Sequence, residues 1–213
     1  VLNELISLIL LKFFRMAKLK NQVHKEKSED QSFIKKISTS HFNYYFGYVS
    51  NISIVIWLCT HAFEKGTSLL GWYEWIYIPA VGLFAWTLVE YLMHKSAYHV
   101  WKSPFERGHN MHHDRPYDLM GVPWYLTLVI VVGLFYGLSE LLSPPYLAIY
   151  MAFIWLGYIG YCVTHHAIHH WKIENKLFKK LKRHHYIHHA RDGKNIGMVT
   201  TFWDVIFDTL EKK

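Results

Sequence analysis

The stretch YLAIYMAFIWLGYIGYCVTHHAIHH, residues 146–170, joins an apolar run to four closely spaced histidines. The run covers residues 146–163, close to the roughly 20 residues that a helix needs to cross a hydrocarbon core of about 30 Å. Three further runs have similar lengths, at residues 46–63, 76–93 and 122–142. The sequence therefore predicts an all-α integral membrane protein with four transmembrane helices.

The composition also indicates a membrane protein. Of the 213 residues, 52% are hydrophobic and 17% are aromatic, more than a soluble domain of this length needs for its core. The alternative, a large soluble helical protein, would leave too little polar helix to cover four buried ones. Cys59 and Cys162 both fall inside the predicted spans, so we expect neither a disulfide framework nor a thiolate metal site.

The four spans are expected to form two hairpins. The second turn is the very short SPP, residues 143–145, whose prolines favour a reversal of the chain. The segment before the first span holds 8 Lys and Arg residues, the central loop 4 and the tail 10, whereas the two remaining loops hold only Lys65. By the positive-inside rule, both termini and the central loop are expected on the cytosolic side. The net charge of +7 follows from this topology and from anionic lipids, so no nucleic-acid partner is expected.

Residues 1–45 are expected to lie outside the membrane domain, which we assign to residues 46–213. The first 20 residues, VLNELISLILLKFFRMAKLK, place apolar residues at helical spacing ahead of basic ones. This pattern predicts an amphipathic helix in the membrane interface, with a fifth, shorter anchor as the alternative. Residues 21–40 are polar and mixed in charge, which is typical of a linker.

The second strong signal is the placement of histidine. Thirteen of the 16 histidines fall in two blocks, residues 94–113 and 165–189, both on the predicted cytosolic side. Positions i, i+3 and i+4 of a helix share one face, and this triplet occurs in HNMHH (109–113) and again in HYIHH (185–189). We therefore expect a cytosolic, helical, histidine-rich cap.

The other histidines are less regular. HHAIHH, residues 165–170, offers two i, i+4 pairs that point about 100° apart, so one pair can face a site while the other cannot. In HKSAYH, residues 94–99, the two histidines diverge by about 140° on an ideal helix. They can reach one centre only if the helix ends or bends there.

Clustered imidazoles of this kind predict a metal centre. Imidazole is a common neutral ligand of iron, zinc, copper and nickel, and ten such ligands are too many for one ion but enough for two. A metal transporter or other metal-binding membrane protein remains an alternative, although a transporter needs ligands at the membrane midplane, where these spans have almost none. A haem protein would need paired histidines across spans, whereas only His61 lies inside an apolar run.

In order, the motifs HKSAYH, HNMHH, HHAIH and HYIHH, followed by NIGMVTTFWDVIFDTL, resemble the integral-membrane fatty acid hydroxylase and sterol desaturase superfamily. Its pattern is HX4H, HX2HH, HX3H and HX2HH on the cytosolic side of paired membrane hairpins. The resemblance covers about residues 76–211 and is greatest to fatty acid 2-hydroxylases. It implies a dinuclear centre with the ligands His94, His99, His109, His112, His113, His165, His169, His185, His188 and His189.

The third box is ambiguous within this resemblance. His166 and His170 satisfy HX3H as well as His165 and His169 do. Tyr161 favours His165, because in the family the first histidine of this box follows four residues after a tyrosine. His166, His170 and His184 are then expected to lie outside the ligand shell.

The resemblance implies a membrane-bound di-iron oxygenase that inserts one atom of O2 into a C–H bond of a lipid, with a fatty acyl or ceramide chain favoured. Sterol, sphingoid-base and carotenoid hydroxylases or desaturases share the motifs and stay open. The implied cofactor is two iron ions; zinc could occupy the same ligands but has no redox chemistry. No catalytic residue is assigned beyond the ligands. Electrons must come from a separate donor, such as a cytochrome b5 or a ferredoxin, because the chain has no flavin or nicotinamide fingerprint.

Overall fold

The computed structural model describes residues 35–211, which form helices and connecting segments without a β-strand. The N-terminal helix expected in the membrane interface lies outside these described residues. A π-helical turn, His94–Tyr98, directly follows the helix Glu74–Met93. Seven α-helices follow Ser40: α1 His41–Gly66, α2 Glu74–Met93, α3 Pro104–Asp114, α4 Trp124–Ser139, α5 Pro144–His170, α6 Lys176–Ala190 and α7 Phe202–Ile206.

Three of these helices are long and apolar enough to cross a membrane. They are α1, α2 together with its π-helical turn, and α5, with 26, 25 and 27 residues. At about 1.5 Å per residue they are about 38 to 40 Å long, more than the hydrocarbon core requires. Large apolar side chains such as Phe63, Ile76 and Phe84 are exposed on their outer surfaces, as expected for helices that face lipid. The chain is therefore a membrane protein, and the part from residue 35 to residue 211 is helical without strands.

The prediction of four spans is not confirmed. The third predicted span, residues 122–142, corresponds to α4, which has only 16 residues. Its length of about 24 Å is less than the roughly 30 Å of a hydrocarbon core. The helix starts after Pro123 and ends at Ser139, although Leu141 and Leu142 continue the apolar run beyond it. Hydropathy alone thus overestimated the length of this helix.

The long helices pack around α5, which makes its most extensive contacts with α1 and α2. Two glycines permit the close approach of α2 and α5. A Cβ atom on Gly82 would lie 2.9 Å from the Tyr150 carbonyl oxygen, and one on Gly157 would lie 2.5 Å from the ring of Trp86. Any side chain at either position would push the two helices apart.

The ends of the bundle can be told apart by specific contacts. At one end, Asn43 of α1 donates through Nδ2 to the Gly121 carbonyl oxygen at 3.2 Å, and its Oδ1 accepts from the backbone N–H of Trp124 at 3.1 Å. The starts of α1 and α4 therefore lie together. At the other end, Gly66 approaches Trp75 and Pro145, near the starts of α2 and α5. Both α2 and α5 thus run toward the end that holds Asn43, where the histidines gather.

Candidate metal centre

The first histidine motif is carried by the π-helical turn at the end of α2. In a π-helix the repeating hydrogen bond joins residues i and i+5, so residues five apart come closer to one face than they do on an α-helix. His94 and His99 accordingly have ring centroids 5.2 Å apart. The bend that the motif required is present as this turn.

The second motif lies on α3 and the fourth motif lies on α6. In α3, the side chain of Ser103 caps the helix by accepting from the Glu106 N–H at 3.2 Å, and Pro104 occupies the first turn. In α6, Asn175 accepts from the N–H groups of Leu177 and Phe178. Both caps are of the kind that fixes where a helix begins.

A first cluster contains His94, His99, His109 and His188, whose ligand nitrogens all lie within 4.8 Å of one another, and it includes His113, which adjoins His109 and His188. The Nε2 atom of His109 lies 3.1 Å from that of His94, 3.1 Å from that of His99 and 2.9 Å from that of His113. The Nε2 atom of His188 lies 3.2 Å from that of His99 and 3.1 Å from that of His113. A neutral imidazole has one N–H and one lone pair, so hydrogen bonds cannot satisfy three nitrogens around His109 at once. A shared cation can.

A second cluster is formed by His112, His165, His169, His185 and His189. Its members offer ligand nitrogens that all lie within 4.8 Å of one another. The Nε2 atoms of His112 and His165 are 2.8 Å apart, those of His169 and His185 are 2.9 Å apart, and those of His185 and His189 are 3.0 Å apart. The two clusters touch where the rings of His113 and His189 stack at 4.3 Å.

The distances allow a test of whether metal ions fit these clusters. An imidazole nitrogen binds such ions at about 2.1 Å, so two ligands at a right angle on one ion lie about 3.0 Å apart, and two tetrahedral ligands about 3.4 Å apart. The shortest nitrogen pairs in both clusters, at 2.8 to 3.2 Å, match the right angle. Both spacings fall within the 4.8 Å over which the ligand nitrogens of the second cluster are spread, so these residues fit a bound metal ion.

The electrostatic surroundings keep the imidazoles in the form that binds metal. Burial lowers the pKa of His113, His188 and His189 from the usual 6.5 to about 4. Burial, followed by the neighbouring histidines, lowers the pKa of His109 and His185 well below that range. These side chains are therefore neutral at pH 7, and only neutral imidazole can coordinate.

The segment that follows α6 orients two members of the first cluster from behind. The Nδ1–H of His188 donates to the Lys194 carbonyl oxygen at 3.0 Å, and the Nδ1 of His99 lies 3.1 Å from Oδ1 of Asp192. A proton held at Nδ1 leaves the Nε2 lone pair directed into the cluster. Outer partners of this kind fix both the tautomer and the ring orientation of a ligand.

Sequence reasoning missed the carboxylates that hold this segment in place. Asp204 is fully buried and accepts from the N–H groups of Ile196 and Gly197 at 2.7 and 3.0 Å, from Thr209 Oγ1 at 2.7 Å and from His184 Nε2 at 3.1 Å. Glu90, to which the sequence assigned no chemistry, accepts from the Met198 N–H at 2.9 Å and lies 4.0 Å from Nδ1 of His94. A lone carboxylate inside an apolar stretch, as in FWDVIF and TLVEYL, is the signal that indicates such a role, because an unpaired charge is rarely buried.

A cavity of about 630 Å³ opens beside the two clusters. Four of the clustered histidines, His109, His112, His165 and His169, form part of its wall. Much of the remaining wall is apolar and includes Phe105, Leu126 and Ile130, and six tyrosines also line it: Tyr44, Tyr48, Tyr98, Tyr125, Tyr158 and Tyr161. The site can therefore hold an apolar chain directly against the imidazole clusters.

The structure brings all ten histidines of the four motifs into the two clusters. The three remaining histidines of the two blocks lie elsewhere. His166 contacts Tyr44, with 2.7 Å between Nδ1 and the hydroxyl oxygen, and its ring stacks on that of His170 at 4.4 Å. His184 lies behind the first cluster, against Asp204.

Comparison with known proteins identifies the class to which this site belongs. A sequence model of the fatty acid hydroxylase family matches residues 79–209, which is more than half of the chain and includes every clustered histidine. The chain belongs to the fatty acid hydroxylase family. Membership makes it an oxidoreductase of the lipid hydroxylase class, and the resemblance seen in the four motifs is confirmed.

Three individual relatives show how similar this chain is to proteins of the family. Dihydroceramide fatty acyl 2-hydroxylase FAH1 of Arabidopsis thaliana is 29% identical over 168 residues, which cover 75% of this chain and 70% of that protein. Ceramide very long chain fatty acid hydroxylase scs7 of Schizosaccharomyces pombe is 33% identical over 143 residues, covering 61% of this chain and 41% of the relative. Fatty acid 2-hydroxylase of Homo sapiens is 33% identical over 145 residues, covering 61% and 38%. The chain thus spans well under half the length of the last two relatives.

One solved structure has the same fold. It is full-length scs7p, in which only the hydroxylase domain is visible, and it superposes with a TM-score of 0.69. The match covers 83% of this chain and 68% of that one, at 24% identity. At this identity the likeness establishes the fold, and the chemistry rests on the residues of this chain.

Proposed function

We propose that this chain hydroxylates the carbon next to the carbonyl group of a fatty acyl chain in a membrane lipid, with the amide-linked chain of a ceramide favoured. The balanced reaction is R–CH2–CO–X + O2 + 2 e⁻ + 2 H⁺ → R–CH(OH)–CO–X + H2O. One observation carries the proposal: two groups of imidazoles that could each hold a metal ion lie beside a largely apolar cavity in a membrane protein, and four of these imidazoles line the cavity. The names of the relatives, which include fatty acyl 2-hydroxylases, support this position on the chain.

The ten clustered histidines are proposed to hold two metal ions, with iron favoured over zinc. When bound, the ions supply the activation of O2 and the redox chemistry that no side chain of this protein can provide. Iron is favoured because the proposed reaction needs a metal that changes its oxidation state, which zinc does not do. The chain itself orients the imidazoles through the segment after α6 and surrounds the acyl chain with apolar side chains that exclude water. The two electrons come from a separate donor of the cytochrome b5 or ferredoxin kind.

We also propose that α4 crosses the membrane together with the residues that flank it, which gives four spans in two hairpins. Its start is bonded to Asn43 at the histidine end, and Phe135 near its end packs on Trp57 and His61 in the second half of α1, with ring centroids 5.1 Å away in both cases. α4 thus runs between the same two ends as α1. With the distribution of Lys and Arg, this arrangement supports a cytosolic site and cytosolic termini.

The test is to express the chain in cells that lack 2-hydroxylated lipids and to analyse the lipids by mass spectrometry under isotopically labelled O2. We expect 2-hydroxy acyl chains that carry one labelled oxygen atom. The matched variant His112→Ala, which loses one nitrogen of the second cluster, should give none. Metal uptake without any hydroxylated lipid would favour the transporter alternative and refute the proposal.

A further inference from the structure

His166 and His170 belong to neither imidazole cluster, yet both line the same cavity. His166 is part of a hydrogen-bonded chain that joins α5 to α1. Its Nδ1 atom lies 2.7 Å from the hydroxyl oxygen of Tyr44, which lies 3.3 Å from the hydroxyl oxygen of Tyr48. Tyr48 in turn donates to the Cys162 carbonyl oxygen at 3.2 Å. The metal-binding role of the site does not account for this chain of polar groups.

The protons of this chain can be assigned from its distances. Because the Tyr48 proton is given to the Cys162 carbonyl, Tyr44 can give its own proton either to His166 or to Tyr48. The 2.7 Å between Tyr44 and His166 has the length typical of a hydroxyl donor, whereas a hydrogen bond donated by a ring N–H is usually about 2.9 to 3.0 Å long, so we assign the proton of this bond to Tyr44. His166 then accepts at Nδ1 and must carry its hydrogen on Nε2. That Nε2–H has no hydrogen-bond partner among residues 35–211.

His166 places this N–H donor in the same cavity as His165, a proposed metal ligand. His165 and His166 are consecutive residues of α5 and point about 100° apart. His165 is a member of the second cluster, whereas His166 faces the cavity from the side of α1. One turn of helix therefore presents to the same cavity a nitrogen that can bind metal and a hydrogen-bond donor beside it. Leu126 and Ile130 of α4 also line this cavity and can receive an apolar chain.

We propose that His166 and Tyr44 determine which carbon of the substrate is hydroxylated. The Nε2–H of His166 donates to the carbonyl oxygen of the acyl group, and Tyr44 holds the imidazole in the tautomer that makes this donation. The carbon bonded to the carbonyl carbon then lies beside the histidine clusters, while the rest of the chain extends along the apolar wall. This inference rests on the proposed acyl hydroxylation and adds the residues that set its position.

The experiment compares two probes on purified, metal-loaded protein supplied with an electron donor. One is an N-acyl sphingoid base, and the other is an alkyl ether of the same chain length, which lacks the carbonyl oxygen. The variants are His166→Leu, His166→Gln and Tyr44→Phe. Tyr45→Phe is the matched control, because Tyr45 is 58% exposed and does not line the cavity. Rate constants, the position of the new hydroxyl group and metal content are measured for each.

We expect His166→Leu to lower kcat/KM for the acyl probe roughly 10- to 100-fold, the loss typical of one buried hydrogen bond. The same variant should leave kcat/KM for the ether and the metal content close to wild type, and its product should spread to carbons farther along the chain. Glutamine can donate from a similar position, so His166→Gln should restore the single position of hydroxylation. Tyr44→Phe should behave like a weaker form of His166→Leu, and Tyr45→Phe like wild type.

Two results would overturn the inference while the proposed function stands. In the first, wild type and His166→Leu make the same single product with the same preference for the acyl probe. In the second, His166→Leu and His166→Gln lose activity on both probes equally, together with metal or thermal stability, which would reduce the contact to a tie between α1 and α5. If wild type hydroxylates neither probe, the proposed function itself fails, and the inference fails with it.

Discussion

Replacing Asp204 with asparagine tests whether the segment behind the first cluster controls metal binding. Asp204 touches none of the ten clustered histidines. Its two oxygens instead accept four hydrogen bonds, two of them from the backbone of residues 196 and 197. The same segment supplies the Lys194 carbonyl that orients His188 and the Asp192 carboxylate beside His99. The substitution keeps the shape of the side chain and changes only its charge and one acceptor.

The expected loss in the free energy of unfolding follows from the four hydrogen-bond donors that surround Asp204. An asparagine NH2 group must replace one oxygen and face two of these donors. If it faces His184 and Gly197, His184 can accept from it by changing tautomer, but the Gly197 N–H loses its partner. A hydrogen bond to a charged group contributes about 1.5 to 3 kcal/mol and a neutral one about half of that. With one bond lost and three made weaker by half, the free energy of unfolding should fall by about 4 to 7 kcal/mol.

Metal content and thermal unfolding in detergent are the two measurements. Loss of an outer partner typically lowers metal affinity 10- to 100-fold or so, so we expect Asp204→Asn to release metal first from the cluster that holds His99 and His188. Asp118→Asn is the control, because the Asp118 side chain is 48% exposed and its carboxylate makes a long surface contact of 3.9 Å with Arg115. If Asp204→Asn retained wild-type metal content and melting temperature, the role given to this segment would be refuted.

Three further predictions concern the metals, the topology and pH. His188→Ala should lower bound metal and abolish turnover, as measured by elemental analysis and product formation; full activity would rule out its role as a ligand. A cysteine introduced at Lys102 should react with an impermeant reagent from the cytosolic side and one at Ser68 from the opposite side, and labelling of both from one face would contradict the four-span topology. Because burial lowers the pKa of His113 and His189 from 6.5 to about 4, the unfolded chain binds more protons than the folded one between these values. The melting temperature of metal-free protein should therefore fall as pH decreases from 6.5 to about 4; a constant value would contradict the burial of these imidazoles.

The membrane helices could be located from the sequence more reliably than their ends could be. α1 begins at His41 and ends at Gly66, beyond the predicted residues 46–63 on both sides. α5 continues from the apolar run to His170 and so carries the third motif on the same helix. Hydropathy reports the part of a helix that faces lipid, whereas backbone hydrogen bonds and caps determine where the helix ends. This difference explains both extensions, as well as the short α4.

The histidines of the site were visible in the sequence because their partners recur at short, helical intervals. The supporting carboxylates were not, because their partners are distant in the chain. Glu90 accepts from the N–H of Met198, 108 residues away, and no local pattern encodes that pairing. The Tyr44–His166 contact joins residues 122 positions apart and was equally out of reach. Sequence patterns thus predicted which side chains gather, whereas the tertiary fold determines which residues hold these side chains in place.

The division of each triplet between the two clusters gives a physical reason for its spacing. On a helix, residues i and i+4 point about 40° apart, whereas residue i+3 points about 100° away from i+4. In α3, His109 and His113 join the first cluster and His112 the second. In α6 the roles are reversed, because His185 and His189 join the second cluster and His188 the first. Both α3 and α6 therefore lie between the two clusters. Each contributes its i, i+4 pair to one cluster and its i+3 residue to the other. A plain HX3H motif, as in His165 and His169, suffices for a helix that faces only one cluster, and this is why the third motif needs no third histidine.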